Sequence, residues 1–317
     1  MRGELFPFSN IWLCKMSNGD SLFPGHSKFQ NQQQVLKSVQ QHKLTFIGAG
    51  NMARSLIGGL IADGYDPNHI TAADPVEGQR SGVGAQFGIV THADNAAAAK
   101  EADVVILAIK PQAMQTAAQS LADVVQTGKP LLISIAAGVR TDDLDAWLGG
   151  NTTLVRCMPN TPALVQSGAT GLFATAAVTA SGRDIAESIL RAVGITRWVE
   201  EESLLDAVTA VSGSGPAYFF LVMEAIQAGA ERLGLEPDTA RLLTLQTALG
   251  AARMAMESQQ APGELRRRVT SPGGTTERAI ELLEEAGLRD DFDRALTAAR
   301  DRAEELAKII SDPSERP

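Results

Sequence analysis

The chain has 317 residues, enough for two domains with cores of their own, and its 44% hydrophobic and 21% charged content is that of a globular protein. A formal net charge of −9 excludes the basic footprint of a nucleic-acid binder and a polybasic membrane anchor. No apolar run approaches the ~20 residues that span a bilayer, and the two cysteines, Cys14 and Cys157, form neither a disulfide framework nor a CxxC pair, which points to a reducing, cytoplasmic compartment.

Residues 1–42 stand apart. They are rich in Asn, Gln, Ser and Lys ("KFQNQQQVLKSVQQHK") and show no sustained amphipathic period. Glu4, Pro7 and Asn10 interrupt the apolar residues of the start, so a secretory signal does not fit, and a mitochondrial presequence wants more arginine. The expectation is a disordered or adventitious extension.

From Leu44 the pattern becomes strand and helix in alternation. "LTFIGAG" is a short apolar strand running into glycines, "NMARSLIGGLIADG" a helix closed by Gly64, and "HITAADP" a second strand ended by Pro75. "DVVILAIKP", "PLLISIAAG" and "TLVRCMPN" are further runs of β-branched and aliphatic residues of the buried type. Strands separated by helical stretches mean βαβ units, hence a doubly wound parallel sheet of Rossmann type over residues 43–200. After about Glu200 the strands disappear. "GPAYFFLVMEAIQAGAERLGL", "PDTARLLTLQTALGAARMAMES" and "FDRALTAARDRAEELAKII" predict an all-α domain over 201–317. Its small residues, among them Ala228, Gly229, Ala248 and Gly250, allow close helix approach and suggest a subunit interface.

The first candidate site is Gly48-Ala49-Gly50-Asn51-Met52-Ala53, a GxGxxA that follows a strand and opens a helix. Gly48 makes the tight turn, Gly50 lets the backbone approach a pyrophosphate, and Ala53 lets the helix pack on the sheet. Asp74 ends the next strand, where a carboxylate accepts hydrogen bonds from the adenine ribose and repels a 2′-phosphate, favouring NAD. Arg80 lies near enough in sequence to favour the opposite, so the cofactor stays open at this point.

The second candidate is "VTSPGGTTERAI", residues 269–280. Two glycines and two threonines precede a helix whose first N–H groups and dipole suit an anion, with Thr275 or Thr276 available as a cap. Taken alone, such a segment is an ordinary capped turn. What surrounds it is an absence. His26, His42, His69 and His92 all lie in the first third, and no lysine occurs between Lys129 and Lys308. The acid–base groups of hydroxyacid and short-chain dehydrogenases are therefore missing from the half that would face a nicotinamide. Lys110, beside Pro111, reads as a residue lining the cofactor crevice. A protonated imine suits such a site, because its carbon is already electrophilic and its nitrogen needs only orientation and a hydrogen bond.

"FIGAGNMA", "AIKPQ", "SIAAGV", "RCMPNTPALVQSGATGL", "DAVTAVSGSGPAYFF" and "VTSPGGTTERAI" follow one another in the order found in the Δ1-pyrroline-5-carboxylate reductases, which the chain strongly resembles from Leu44 to about residue 310. The resemblance implies reduction of 1-pyrroline-5-carboxylate to L-proline with NADPH, NADH being an alternative. It also implies helical domains intertwined in a homodimer or higher homo-oligomer, with no metal. It places Ile47, Gly48, Ala49, Gly50, Asn51 and Met52 along the pyrophosphate. Ala108, Ile109, Lys110 and Pro111, with Ile135, Ala136 and Ala137, would flank the adenosine and nicotinamide ends, and Asn95 would lie by the adenosine ribose. Ser271, Gly274, Thr275 and Thr276 would form the substrate turn, with Thr276 bonding the ring nitrogen. Residues 1–42 have no counterpart in the family, and Asp74 stands where its members often carry a small hydroxyl residue. The rivals are another imine or β-hydroxyacid reductase, disfavoured by the missing lysine, and a non-catalytic dinucleotide sensor, which has no need of a carboxylate cradle.

Overall fold

A computed structural model describes residues 41–311; the extension expected at 1–42 lies, but for its last two residues, outside them. Eight strands form one sheet: β1 (Leu44–Ile47), β2 (Ile70–Ala73), β3 (Val90–His92), β4 (Val104–Leu107), β5 (Leu131–Ser134), β6 (Thr153–Met158), β7 (Gly168–Ala174) and β8 (Gly194–Trp198). Their order across the sheet is β3-β2-β1-β4-β5-β6-β7-β8. The helices between them are α1 (Asn51–Ala62), α2 (Glu77–Phe87), α3 (Asn95–Ala99), α4 (Pro111–Gly128), α5 (Thr141–Trp147) and α6 (Ala180–Arg191).

The central strands β1, β4 and β5 are buried along their whole length. That is why they read as unbroken apolar runs, as strands covered on both faces do. One core cluster contains Phe46, Leu56, Ile70, Ile106 and Ile133, the other Ile47, Val105, Leu107, Leu121 and Leu132. Successive residues of a strand thus feed opposite faces.

The sheet departs from the all-parallel expectation at one edge. β6 and β7 pair antiparallel, Arg156 opposite Phe173, whereas β1 to β6 run parallel. The physical reason is the connection. β6 returns through the 3-10 turn Thr161–Val165 instead of a crossover helix, and a short link can join only antiparallel neighbours.

Beyond β8 all is helical: α7 (Leu204–Val208), a π turn over Thr209–Gly213, α8 (Gly215–Arg232), α9 (Pro237–Glu257), α10 (Pro262–Arg268), α11 (Thr275–Glu285) and α12 (Leu288–Ser311). α8 and α9 pack against each other yet bury only Gly215, Ala240 and Thr244. Phe219, Phe220, Ile226, Leu242, Leu249 and Met256 are exposed. Helices this apolar need a further surface to cover them. By length and composition alone Leu204–Arg232 could also cross a membrane, which the reading of apolar runs did not anticipate.

Candidate active site

The carboxyl ends of β1 to β6 lie on one edge, the edge where open α/β sheets bind ligands. There β1 turns at Gly48, whose φ of +100° is left-handed and where a Cβ would come within 2.5 Å of the Ala108 carbonyl oxygen. Only glycine fits. At Gly50 a Cβ would meet open space, so the backbone is accessible to a ligand. Gly50 is also the N-cap of α1, with no side-chain cap and no acidic residue in the first turn. The positive helix end and its free N–H groups are left to face an anion. These are the features a pyrophosphate needs, and the residues fit a dinucleotide.

The loop is held from both sides. Asp74 Oδ2 accepts the Ala49 N–H at 2.9 Å, and its Oδ1 accepts the Val76 N–H at 2.9 Å. From the other side Arg54 Nε donates to the Ala49 carbonyl at 3.2 Å, while the same guanidinium reaches Gln79 and Gln86 of α2. Arg54 was not legible as a site residue; an arginine in the helix opened by a GxG was its only trace. Arg80, whose direction the sequence left open, turns back to the strand end and donates to the Asp74 and Pro75 carbonyls at 2.8 and 2.9 Å.

The other expected cofactor residues sit along the same edge. Asn95 opens α3 next to β3, with Asp94 as its N-cap. Ala108 donates its N–H to the Ile47 carbonyl at 2.8 Å and leads to Lys110, the exposed N-cap of α4, with Pro111 following. Ile135 donates to the Leu107 carbonyl at 3.2 Å, and Ala137 is exposed beyond it. Ile47 and Ala136 are buried in the core, so Ile47 enters the site through the backbone it aims. Among the described residues no group of three or more His, Cys, Asp or Glu could hold a metal. Cys157 is buried, and burial pushes its thiol pKa up, away from nucleophilic use.

The SPGGTT turn differs from expectation in its cap. Gly274, not a threonine, is the N-cap of α11, and no side chain caps it. Instead Glu277 reaches back so that its Oε2 accepts the Gly273 N–H at 2.6 Å, and the Gly274 N–H bonds the Ser271 carbonyl at 3.0 Å. Thr275 and Thr276, freed from capping, lie exposed in the first turn. Among the described residues their N–H groups have no intrahelical acceptor, as helix geometry requires. The chain does not by itself bring this turn to the cofactor edge in any described hydrogen bond.

Between the halves lies a buried charge cluster that sequence reasoning missed. Arg156 of β6, 3% exposed, pairs with Glu202 at 2.8 Å and approaches Asp206, 1% exposed, at 3.8 Å; Arg140 reaches Asp206 at 3.5 Å. Glu202 also takes the N–H and hydroxyl of Thr141 at the start of α5. Burial pushes the Asp206 carboxyl above its usual range, against the pull of Arg156 and Arg140 and with Glu304 and Glu202 adding to the push. No spacing rule finds this cluster, because its arginines lie more than forty residues from its carboxylates in sequence.

The sheet order, glycine loop and open helix start define a dinucleotide-dependent oxidoreductase with a helical second half. Comparison with known proteins specifies it. Residues 202–306 match the family model for pyrroline-5-carboxylate reductase dimerisation, and residues 43–138 match that for NADP oxidoreductases, coenzyme F420-dependent. The chain is 52% identical over 268 residues to the pyrroline-5-carboxylate reductase of Pseudomonas aeruginosa, covering 84% of this chain and 98% of that one. It is 46% identical to that of Vibrio alginolyticus over 273 residues, 86% of this chain and 100% of that one. A solved reductase from Coxiella burnetii superposes with a TM-score of 0.81 at 50% identity, covering 84% and 98% of the two chains. The Plasmodium falciparum enzyme, solved with NADP bound, gives 0.75 at 26% identity, covering 84% and 99%. The chain belongs to the pyrroline-5-carboxylate reductase family.

Proposed function

We propose that this chain reduces the cyclic imine 1-pyrroline-5-carboxylate to L-proline at the carboxyl edge of its sheet, using NADPH in preference to NADH. The observation that carries the reading is the start of α11, where Thr275 and Thr276 are exposed with N–H groups free of intrahelical acceptors. The Thr275 and Thr276 N–H groups would hold the substrate carboxylate, helped by Ser271 and the backbone of Gly274. Thr276 Oγ1 would orient the ring nitrogen. The Gly48–Met52 loop, with Asp74, Arg80 and Asn95 at its adenosine end, would hold the dinucleotide. Ala108–Pro111 and Ile135–Ala137 would line its course toward the nicotinamide, which supplies hydride to the imine carbon when bound.

The division of labour follows the fold, with the dinucleotide held by residues 43–200 and the substrate by 201–317. The exposed apolar faces of α8 and α9, inside the matched dimerisation region, belong to a homo-oligomer. We place the enzyme in the cytoplasm on the strength of its two cysteines, of which Cys157 is free and buried. The test is NADPH oxidation on addition of pyrroline-5-carboxylate. Protein that binds NADPH yet leaves the imine untouched would refute the proposal.

A further inference from the structure

Resting on that reading, we infer that Asn160 is a positioning residue, a joint that fixes the helical half against the crevice loop and thereby sets the distance between cofactor and substrate turn. The joint begins with a missing donor. In a regular helix the Ser212 carbonyl would accept the N–H of residue 216. That residue is Pro216, which has none. A carbonyl so deprived and partly buried must find a donor elsewhere. It finds one in the other half of the chain: Asn160 Nδ2 donates to the Ser212 oxygen at 3.0 Å. The same side chain accepts the Ala169 N–H on its Oδ1 at 2.8 Å, which fixes its orientation against β7.

The location gives the joint its meaning. Asn160 is 9% exposed and follows β6 by two residues, on the edge that carries Gly48, Ala108 and Ile135. Its partner belongs to the π turn Thr209–Gly213, closed by the Ser214 N–H on the Thr209 carbonyl at 2.8 Å. π turns inside helices recur at functional sites. The proline that breaks the ladder and the asparagine that repairs it lie 56 positions apart (216 − 160), yet they connect the wall of the crevice to the helix leading into α8. Hydride transfer needs reacting atoms roughly 3–3.5 Å apart. The helical half that carries the turn is tied to the crevice wall of its own sheet at this joint.

Asn160→Asp tests it, since the aspartate keeps the shape and the acceptor toward Ala169 while a charged carboxylate oxygen takes the place of the donor to Ser212. Turnover should fall by roughly ten- to a hundredfold. NADPH affinity, read by fluorescence titration, should stay unchanged. The melting temperature should drop by at least about 2–4 °C, through one lost hydrogen bond and the carboxylate's repulsion of the Ser212 oxygen. Adding Pro216→Ala returns an N–H to residue 216. It should recover part of the lost melting temperature but not the turnover, because the carbonyl is satisfied again while the carboxylate remains and the tether stays cut. Wild-type turnover in Asn160→Asp would overturn the inference. So would recovery of turnover together with stability in the double variant, or failure of Asn160→Asp to fold, either of which makes the residue merely structural. Amide hydrogen exchange across residues 209–217 reads the joint independently of any activity. Faster exchange in Asn160→Asp is expected, and unchanged exchange sinks the joint even where the reductase reading stands or falls on other grounds.

Discussion

The Asp74 carboxylate accepts the Ala49 N–H at 2.9 Å, so the end of the second strand holds the glycine loop of the first. Asp74 is therefore a loop anchor as well as the charge proposed to lie near the adenosine ribose. Asp74→Ser should raise the KM for both cofactors, because the shorter side chain releases Ala49. It should raise that for NADH more. Removing a carboxylate near a 2′-phosphate relieves a repulsion on the order of 1 kcal/mol in exposed surroundings, which offsets part of the loss for NADPH alone. The kcat/KM ratio of NADPH to NADH should rise several-fold at low ionic strength. A fixed ratio with both KM values raised would leave Asp74 with the anchoring role only.

Thr276→Ala should leave folding untouched, since Thr276 is exposed in the first turn of α11 and caps nothing. Loss of a hydrogen bond made only as the imine is reduced lowers kcat and kcat/KM together. With one neutral bond at stake the loss should be about ten- to a hundredfold. Steady-state kinetics beside an NADPH titration checks this; wild-type kcat would remove Thr276 from the chemistry.

The Arg156 cluster predicts two stability effects of different kind. Arg156→Met leaves Glu202 and Asp206 facing each other without their common partner, and breaking a buried pair destabilises by about 3–5 kcal/mol. Asp206→Asn should cost less, because one oxygen of Asp206 already lacks a hydrogen bond. The pH dependence has a definite sign. Asp206 binds its proton more tightly in the folded chain, so its contribution to stability is fully present below the ordinary carboxyl pKa and is lost as pH rises through the raised one. Asp206→Asn should therefore gain on the wild type as pH rises across that window, in urea unfolding at a series of pH values. A constant difference would mean that the pull of Arg156 and Arg140 balances burial, and a loss on the wild type with rising pH that it outweighs it.

Much of this molecule could be read before any coordinates. β1, β2, β4, β5 and β6 were visible because buried strands read as predominantly apolar runs. β3, β7 and β8 were not. β3 is three residues long with its first, Val90, exposed, and β7 is a Gly168–Ala174 run of small residues that carries no strand signature. The glycine loop was legible because Gly48 and Gly50 are demanded by backbone geometry, which leaves its mark in the local sequence. Arg54, Asn160 and the Arg156 cluster act through contacts between distant segments, and such contacts leave no local pattern. The misjudged cap on α11 has a similar cause: Glu277 reaches back from the fourth residue beyond Gly273, and no sequence rule decides between it and a threonine.

The exposed face of α9 makes a prediction about assembly. Leu242 exposes 68% of its surface in the single chain, so Leu242→Glu disturbs little within the protomer. In a homo-oligomer covered on that face it buries a charge. Analytical ultracentrifugation should show the wild type as a dimer or larger and the variant shifted toward monomer, with NADPH binding kept and turnover lost. An unaltered assembly with full activity would place the interface elsewhere.

The last turns of α12 come back to the sheet. Ile310 packs on the core cluster beneath β4 and β5, and a methyl group at Gly138 would lie 3.2 Å from its Cδ1. Ser311 donates to Asp143 of α5. Gly138 directly follows Ile135–Ala137, so the segment expected to guide the nicotinamide is braced by the final residues of the described chain. During synthesis, N-terminal units fold first as the chain leaves the ribosome. Here the sheet can form once β8 has emerged, while the loop beside it waits for a wedge made more than a hundred residues later. A nascent chain can thus own a Rossmann sheet and still lack the support of its cofactor edge until the α12 wedge has been made.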